Sequence, residues 1–282
     1  MTEPMPVTLA DVLARRSALA VAVSGGVDSL TLAWAAGRVP GLSLTVLHAA
    51  GPAVPVSATQ RVREHARRAS WTYREINAGE YDDPNYRRNP ADRCYFCKNN
   101  LYDRIRGASS APIAAGTNLD DLGDFRPGLT AAKEHHVVHP FVEAGMNKAA
   151  VRRLASEMGL TDIAELPAQP CLASRVETGI AIDAADLAFI DMAERQLMSV
   201  CHLTDIRCRI TRQGVWFETA QTGGMVSQAS DNPAMAVSVT RFMQQLCADA
   251  GRIYAGWRPY RRGSAFLVSP QLLAKTIRRQ QL

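Results

Sequence analysis

The sequence lacks several features that would assign it to a special class of proteins. No apolar run approaches the roughly 20 residues of a membrane-spanning helix, and no internal repeat or low-complexity tract is visible. The first residues, MTEPMPVTLADVLARR, do not show the charged-then-apolar order of a secretory signal. Six unevenly spaced cysteines are too few for a secreted disulfide framework and are more typical of thiols or metal ligands. We therefore expect a cytoplasmic protein without membrane partners.

A dense basic stripe is also missing, although the chain is mildly basic with a net charge of +5. This charge suits a pocket for polyanionic nucleotides, or simply a chain with many arginines, and we expect no nucleic-acid partner. Hydrophobic residues make up 47% and charged residues 21%, as in ordinary folded proteins. At 282 residues, the chain is long enough for one large domain or two modest ones.

Short apolar runs alternate with helical patterns in the first part of the chain, which predicts a parallel α/β sheet. The predicted strands are Ser17–Val23, Leu42–His48, Trp71–Ile76 and Pro112–Ala115. The predicted helices are Leu30–Gly37, Ser57–Ala69, Lys98–Arg106 and Asn147–Met158, the last with an Asn cap and a terminating glycine. Two prolines and two asparagines predict a loop at Tyr81–Pro90.

The composition changes after about Gly179, and we place a linker near residues 178–185. A helix, two alternating strands and a second helix follow, at Asp183–Met198, Asp205–Ile210, Val215–Glu218 and Ser238–Asp249, and the last helix precedes the segment Arg252–Trp257. This pattern predicts a Rossmann-like domain at 1–180 and a smaller α+β domain at 181–282. We expect the second domain to contribute to substrate binding and oligomerisation.

The segment Ser24–Ser29 reads SGGVDS and lies between an apolar strand and a helix. Gly25 and Gly26 have no Cβ to block an anion, and the following helix offers free N–H groups and a positive dipole. The hydroxyls of Ser24 and Ser29 can donate to phosphate, while Asp28 needs a cation such as Mg²⁺ between itself and the phosphate. The obligatory lysine of the GxxxxGK[ST] loop is absent. The alternative interpretation is a Gly-Ser turn without a ligand.

Three further segments carry chemistry: RCYFCK at Arg93–Lys98, GTNLDDLGDFRPG at Gly116–Gly128, and PCLASR at Pro170–Arg175. The C-x-x-C pair alone is compatible with half of a zinc site or with a redox pair. Further zinc ligands would have to come from residues such as His135, His136 and His139. The second segment follows the fourth strand at the ligand edge of the sheet. It offers Gly116, Asp120, Asp121, Asp124 and Arg126 for Mg²⁺, ribose or phosphate, although a solvated turn is the simpler interpretation of Asp120 or Asp121 alone.

Together with SGGVDS, these segments resemble the PP-loop ATP pyrophosphatases, with an adenine nucleotide alpha hydrolase-like fold, and within them the LarE family. The resemblance runs from about Leu13 to Thr178 and continues weakly through Arg207–Arg209 and YRRGS at Tyr260–Ser264. It implies an ATP-dependent sulfurtransferase that adenylylates a carboxylate of pyridinium-3,5-biscarboxylic acid mononucleotide. The product would be a thiocarboxylate in nickel-pincer cofactor biosynthesis. It also implies a homo-oligomer and a sulfide or sulfur-donor system.

The resemblance assigns the cysteines a specific role. Cys171 corresponds to the sulfur site, and members with this cysteine alone give up its own sulfur and keep dehydroalanine. Members with a C-x-x-C pair, like this chain, are of the three-cysteine type, in which Cys94, Cys97 and Cys171 would hold a [4Fe-4S] cluster with one open iron. The other cysteines, Cys201, Cys208 and Cys247, lie in apolar surroundings and are expected to be structural.

Charged residues complete the predicted site. Lys98 matches a family lysine expected near ATP or substrate phosphate, and Arg175 lies near Cys171, where it would steady sulfur or departing AMP. Arg207 and Arg209 alternate on a strand and so share one face; with Arg262, or Arg261, they match a pocket for the mononucleotide phosphate. Glu194 is either a functional acid or a helix-surface residue.

The residues alone are also compatible with other functional classes. A tRNA thiolase shares adenylylation and in some cases three cysteines, but usually adds an RNA-binding element that is not visible in this sequence. An ammonia-dependent synthetase would normally need an amidotransferase partner or domain. A non-catalytic nucleotide-binding or iron–sulfur protein would release no pyrophosphate when given substrate.

Overall fold

The computed structural model describes residues 8–123, 127–201, 206–219 and 233–260. These residues divide between two compact units. The first unit contains the chain up to Asp83 together with Asp92–Gln169. The second contains the short segment Pro84–Ala91 and the chain from Pro170 onward. Asp124, Arg126, Arg261 and Arg262, which the sequence placed in binding sites, lie outside the described residues.

The first unit is built on a four-stranded parallel sheet in the order β3-β2-β1-β4. Its strands are β1 (Ala18–Ala22), β2 (Ser43–Ala49), β3 (Thr72–Ile76) and β4 (Ile113–Ala115). Its helices are α1 (Leu9–Ala14), α2 (Val27–Ala36), α3 (Val56–Arg68), α5 (Arg93–Ala108), α6 (Pro127–Glu134), α7 (Pro140–Glu143), α8 (Lys148–Glu157) and α9 (Thr161–Ala164). Two 3-10 turns, Glu80–Asp82 and Leu119–Gly123, complete the unit.

Strand β1 is apolar throughout because both faces of the sheet are covered. Leu19 and Val21 belong to a buried cluster with residues of α2 and α8. Ala20, which points to the opposite face, belongs to a second cluster with residues of α5 and α6. Burial on both faces explains why this strand shows a continuous apolar run instead of an alternating one.

Helix α8 has the capping asparagine and the terminating glycine that the sequence predicts. The side chain of Asn147 accepts a hydrogen bond from the Ala150 N–H, which caps the first turn. Gly159 follows the helix with a positive φ of 75°, a conformation that glycine adopts at little cost. The predicted helix at Asn147–Met158 is therefore confirmed to within one residue at each end.

Two local predictions were wrong. Helix α5 begins at Arg93 instead of Lys98, so the C-x-x-C pair lies on the helix. The predicted loop Tyr81–Pro90 contains a 3-10 turn and the short helix α4 (Pro84–Arg87). Proline at the first position of a helix lacks only an N–H that would have no partner inside the helix, so Pro84 starts this turn instead of preventing it.

The second unit has a mixed sheet in the order β5-β6-β7, formed by β5 (Ile206–Thr211), β6 (Gly214–Thr219) and β7 (Tyr254–Pro259). Strands β5 and β6 are antiparallel, and β7 runs parallel to β6. Two long helices, α10 (Ala184–Val200) and α11 (Pro233–Asp249), and a 3-10 turn at Leu172–Arg175 belong to the same unit.

The segment Pro84–Ala91 is tied into the second unit by hydrogen bonds. The Asn89 side chain donates to the carbonyl oxygens of Val176 and Glu177 at 3.3 and 3.0 Å. The backbone N–H groups of Gly179 and Ile182 donate to the carbonyls of Asn89 and Arg87. Asn89 is fully buried, so this segment is part of the structure of the unit and not only a connection.

This architecture confirms the predicted fold class, a Rossmann-like parallel α/β domain followed along the chain by a smaller mixed α+β unit. The boundary predicted at residue 180 stays a prediction about domains. The compact units themselves divide between Gln169 and Pro170, and Pro84–Ala91 belongs to the later one.

Candidate functional site

The segment Ser24–Gly26 follows the carboxyl end of β1, at the edge of the sheet where parallel α/β folds bind ligands. Gly26 is the N-cap of α2, and among the residues that the structure describes no side chain caps this helix end. The first N–H groups of a helix have no partner inside the helix, and the helix dipole adds a partial positive charge there. The start of α2 therefore offers hydrogen-bond donors to an anion.

The two glycines of this loop differ in backbone conformation and in the space beside them. Gly25 has a φ of +84°, and a Cβ added to it would lie 2.8 Å from the carbonyl oxygen of Ala58. Gly26 has a φ of −84°, which any residue can adopt, and the nearest atom to an added Cβ is the Ser24 hydroxyl at 3.7 Å. Gly25 is therefore required by the fold itself, whereas Gly26 leaves open space beside the loop.

The serine hydroxyls are also not equivalent. Ser29 is buried; its hydroxyl donates to the Gly26 carbonyl at 3.2 Å and accepts from the Ser24 N–H at 3.1 Å. Ser24 is exposed, and its hydroxyl lies 3.3 Å from that of Ser29. Ser29 thus holds the shape of the loop from inside, and Ser24 is the hydroxyl that faces solvent.

Asp28 lies in the first turn of α2 and has two partners that the sequence did not indicate. The Lys148 ammonium forms an ion pair with Asp28 Oδ2 at 2.6 Å. The Asn118 side chain donates to Asp28 Oδ1 at 3.3 Å. Asn118 lies inside the GTNLDD segment, but no local pattern connects Lys148, 120 residues away, to Asp28.

Gly116 brings the GTNLDD segment close to the loop. A Cβ at this position would lie 2.8 Å from the Asp28 carbonyl carbon and from the Ser29 nitrogen. Backbone therefore packs directly on backbone here, which only glycine allows. The role predicted for Gly116 in ATP binding stays a prediction, and its observed contact explains how Asn118 reaches Asp28.

The carboxylates of the same segment organise it. Asp121 Oδ2 accepts from the Asn118 N–H at 3.1 Å, and the Asn118 side chain accepts from the Asp120 N–H at 3.0 Å. Asp120 Oδ2 in turn accepts from the Lys148 N–H at 3.1 Å. The segment is thus a hydrogen-bonded turn that ties the start of α8 to the loop.

Arg61 of α3 is a further residue that sequence reasoning missed. Its Nη1 donates to the Gly25 carbonyl at 2.8 Å and to the Gln169 side chain at 3.2 Å. Burial lowers the pKa of Arg61 below its ordinary value. A cation beside the backbone of the loop adds to the positive potential there.

Cys94 and Cys97 lie in the first two turns of α5, three residues apart and therefore on one face of the helix. Both cysteine side chains are partly exposed. Lys98 follows them; its ammonium lies 5.8 Å from the centre of the Tyr102 ring, and its side chain passes close to Gly128. Two adjacent, accessible thiols on one helical face fit two ligands of a metal or cluster.

The zinc alternative finds no additional support from the histidines. His135 Nε2 lies 2.9 Å from the Asn99 side-chain oxygen, and burial lowers the pKa of His139. Within the described ranges, no group of three or more His, Cys, Asp and Glu side chains is arranged to hold a metal ion. Cys94 and Cys97 belong to the first unit and Cys171 to the second.

Cys171 is the N-cap residue of the 3-10 turn Leu172–Arg175 and is partly exposed. The Arg175 guanidinium holds this turn: Nη1 donates to the carbonyls of Pro170 and Cys171 at 2.5 and 3.2 Å. Its Nε and Nη2 bind Glu194 in a bidentate pair at 3.0 and 3.1 Å. These contacts indicate that Arg175 positions the Cys171 backbone, while its predicted contact with sulfur or AMP stays a prediction.

Glu194 is not a helix-surface residue, because it is buried. It pairs with Arg175, and its Oε1 also accepts from the Cys208 N–H at 2.9 Å. This carboxylate links α10, β5 and the turn that carries Cys171. Cys201, Cys208 and Cys247 are buried as well, and burial raises the pKa of the Cys208 and Cys247 thiols, the latter to about 11.

Arg209 is buried and bonded, and its predicted role at the substrate phosphate stays a prediction. Its Nε lies 2.5 Å from Glu218 Oε2, and its Nη1 donates to the Ser174 carbonyl at 2.9 Å. Glu218 also accepts from Arg258 at 2.8 Å. Arg207, two residues earlier, has its guanidinium 6.0 Å from the Tyr260 ring centre. A cavity of about 350 Å³ lies beside these residues and is lined by Arg175, Arg209, Arg212, Trp216 and Arg258, among others.

No family model matches the sequence. An uncharacterized protein of Synechocystis sp. is 35% identical over 178 residues, which cover 62% of this chain and 66% of that protein. An uncharacterized protein of Methanocaldococcus jannaschii is 30% identical over 114 residues, or 39% of this chain and 44% of that protein. The pyridinium-3,5-bisthiocarboxylic acid mononucleotide synthase of Lactiplantibacillus plantarum is 31% identical over 122 residues, or 42% of this chain and 44% of the synthase.

The matches therefore span between 44% and 66% of these relatives. The chain is similar, over part of its length, to a synthase of a thiocarboxylated mononucleotide. No helix among the described residues is long and apolar enough to cross a membrane.

Proposed function

We propose that this protein is an ATP-dependent sulfurtransferase of the LarE family that converts a carboxylate of pyridinium-3,5-biscarboxylic acid mononucleotide to a thiocarboxylate. The observation that carries the proposal is the uncapped start of α2 behind Ser24–Gly26, at the ligand edge of a parallel sheet. The partial similarity to a bisthiocarboxylic acid mononucleotide synthase supports the acceptor.

In the first step, the N–H groups of the loop and the Ser24 hydroxyl would bind the phosphates of ATP. Asp28 would hold Mg²⁺, because its carboxylate is partly exposed and lies beside these donors. A substrate carboxylate oxygen attacks the α-phosphorus, and the bond from the α-phosphorus to the oxygen of the β-phosphate breaks. Pyrophosphate departs, and the substrate remains as an acyl-adenylate. The contribution of the protein is positioning and neutralisation of charge.

In the second step, a sulfur nucleophile attacks the acyl carbon and AMP leaves. If the Cys171 thiolate attacks, a base then removes the Cα proton of residue 171 from the covalent thioester as the Cβ–S bond breaks. This elimination leaves thiocarboxylate on the substrate and dehydroalanine in the protein. Arg175 would hold the Cys171 turn in place through the Pro170 and Cys171 carbonyls.

We further propose that Cys94, Cys97 and Cys171 hold a [4Fe-4S] cluster. The adjacent thiols on one face of α5 fit two of the ligands. When bound, the cluster would supply a sulfide at its open iron in place of the cysteine sulfur. Lys98 lies next to this pair, where we expect it to bind substrate or nucleotide phosphate.

The decisive test is a reaction of anaerobically purified protein with ATP, Mg²⁺ and the biscarboxylated pyridinium mononucleotide. Substrate-dependent pyrophosphate and replacement of a carboxylate oxygen by sulfur in the product, seen by mass spectrometry, are expected. Unmodified substrate with no pyrophosphate would refute the proposal. Pyrophosphate formed only when tRNA is added would instead identify a tRNA thiolase.

Iron and sulfide analysis of wild type and Cys94→Ala separates the two sources of sulfur. Iron in the wild type and its loss in the variant would support the cluster. Wild type without iron, together with dehydroalanine at position 171 after one turnover, would identify Cys171 as the sacrificial donor.

A further inference from the structure

The ion pair between Lys148 and Asp28 has a role that the proposed reaction does not yet use. We propose that Lys148 is a resident cation at Asp28, which Mg²⁺ displaces when MgATP binds, and that the freed ammonium then binds the phosphates released as pyrophosphate. This inference rests on the proposed function, because it needs MgATP at the loop. At the Asp28 carboxylate, one cation, the Lys148 ammonium, is exchanged for another, Mg²⁺.

The backbone of Lys148 is fixed relative to the loop. Its N–H donates to Asp120 Oδ2 at 3.1 Å, and Asn147 caps the first turn of α8, which begins at Lys148. The residue before this cap, Met146, accepts a hydrogen bond from the Leu119 N–H at 3.0 Å. The start of α8 is therefore held in place independently of the Lys148 ammonium.

The side chain, in contrast, is free to change partners. The side chains of Lys148 and Asp28 are 32% and 27% exposed, so the pair lies at the surface of the loop. Lysine carries its charge on a flexible four-carbon chain, and an ammonium is a mobile point charge. A small rotation of this chain moves the charge while the backbone stays anchored.

The charges explain why an exchange is favourable. Without a nucleotide, the Lys148 ammonium at 2.6 Å and the Asn118 amide at 3.3 Å satisfy both oxygens of Asp28. When triphosphate arrives, an uncompensated Asp28 would repel it. A divalent cation binds a carboxylate and phosphate oxygens together, which an ammonium does less well. Asp28 then no longer needs Lys148, and the nearest strong negative charge is the phosphate chain itself.

A purely structural ion pair would behave differently. Partly exposed ion pairs contribute little to the free energy of folding, so removal of the ammonium should hardly change stability. If Lys148 competes with metal at Asp28, its removal instead makes cation binding stronger in the absence of nucleotide. If the freed ammonium binds phosphate, the same change slows pyrophosphate formation. These opposite signs distinguish the exchange from a structural role.

The test measures Mn²⁺ binding to the full-length protein without nucleotide by electron paramagnetic resonance, and then pyrophosphate release with ATP and substrate. The variants are Lys148→Met, Lys148→Arg and, as a matched control at an exposed position of α6, Lys133→Met. Lys148→Met should bind Mn²⁺ about two- to fivefold more tightly, a range that matches a partly exposed ion pair. Its pyrophosphate release should fall about a hundredfold, as after loss of one preorganised donor to a transition state.

Lys148→Arg retains the charge and should keep the Mn²⁺ affinity of wild type, and Lys133→Met should change neither quantity. Unchanged or weaker Mn²⁺ binding by Lys148→Met would refute the competition. Tighter Mn²⁺ binding with normal pyrophosphate release would refute the phosphate contact. If even the wild type releases no pyrophosphate, the proposed function fails, whereas the Mn²⁺ comparison needs no nucleotide and still decides the competition.

Discussion

The ion pairs at the candidate sites of the two units differ in how far they are exposed to solvent. In the first unit, Asp28 and Lys148 form a pair that is about one-third exposed, beside helix N–H groups without a side-chain cap. In the second unit, Arg175 pairs with Glu194, and Arg209 with Glu218, with none of these side chains more than 8% exposed. The first arrangement can exchange partners with a ligand, while the second is part of the structure. An arginine-rich segment is therefore not by itself a phosphate site.

The largest expected effect comes from Cys171→Ser, which separates the chemistry of the two units. We expect the variant to lose transfer of sulfur to the acceptor completely, because a serine oxygen supplies no sulfur and is a poor ligand for iron. Substrate-dependent pyrophosphate release should persist, because the phosphate loop is untouched. Product analysis by mass spectrometry and a pyrophosphate assay check the two halves, with Cys201→Ser as the control. Thiocarboxylate formation by Cys171→Ser would contradict the assignment.

Glu218→Gln tests whether the second unit depends on permanent charge pairing. Glu218 is almost fully buried and serves both Arg209 and Arg258, so its neutralisation leaves buried positive charge without a partner. We expect a loss of about 3–5 kcal/mol in the free energy of unfolding, measured with urea. The control is Glu177→Gln, whose partner Arg212 is mostly exposed, with an expected loss of less than about 1 kcal/mol. Equal losses in the two variants would contradict the distinction.

The two glycines of the phosphate loop allow a matched comparison within the first unit. Gly25→Ala places a Cβ at a positive φ and against Ala58, and we expect a stability loss of about 1–3 kcal/mol. Gly26→Ala meets no atom closer than 3.7 Å, so its stability should change by less than about 0.5 kcal/mol. Its affinity for ATP should nevertheless fall, because the added methyl group occupies the open side of the loop. Thermal unfolding measures the stability of both variants, and ATP titration measures their affinity for ATP. Normal ATP binding by Gly26→Ala would argue against phosphate at this position.

The smallest effect concerns pH and His65 in the first unit. Trp34 donates to His65 Nδ1 at 2.8 Å, so the ring proton lies on Nε2 and faces Asp162. Burial lowers the pKa of His65 below its ordinary value of 6.5. The unfolded chain therefore binds a proton more readily, and the stabilisation that exists above this value is lost as the pH falls.

His65→Asn should make the free energy of unfolding less dependent on pH between about 7 and 5. The exposed His136 provides the control, because asparagine tolerates the positive φ of 53° at that position. Urea unfolding at several pH values measures the slope. An unchanged slope in His65→Asn would show that His65 does not carry this dependence.

The parts of the structure that depend on local patterns were predictable. The apolar run of β1 and the Asn147 cap of α8 each fixed an element to within one or two residues. The phosphate loop could be placed because its strand, glycines and helix are contiguous. Helix α5 was predicted too short because aromatic and cysteine residues are weak helix formers, and tertiary packing overrides that preference.

The partners of charged residues were not predictable. Lys148 meets Asp28 only because α8 is tied to the turn at Asp120, and Arg209 meets Glu218 only because β5 and β6 form a hairpin. The first pair joins residues 120 positions apart, and the second depends on the side-chain directions within the hairpin. The sequence predicted that Arg207 and Arg209 share one face of a strand, but it did not indicate that Arg209 forms a buried pair with Glu218.

The segment Pro84–Ala91 has a consequence for how the chain is made. During synthesis it leaves the ribosome well before Pro170, yet the carbonyls that its Asn89 side chain binds are those of Val176 and Glu177. The later unit therefore cannot complete its interior from its own continuous stretch of chain. A separately expressed fragment that begins at Pro170 would lack this segment, and addition of a short synthetic peptide covering residues 84–91 should restore part of its cooperativity.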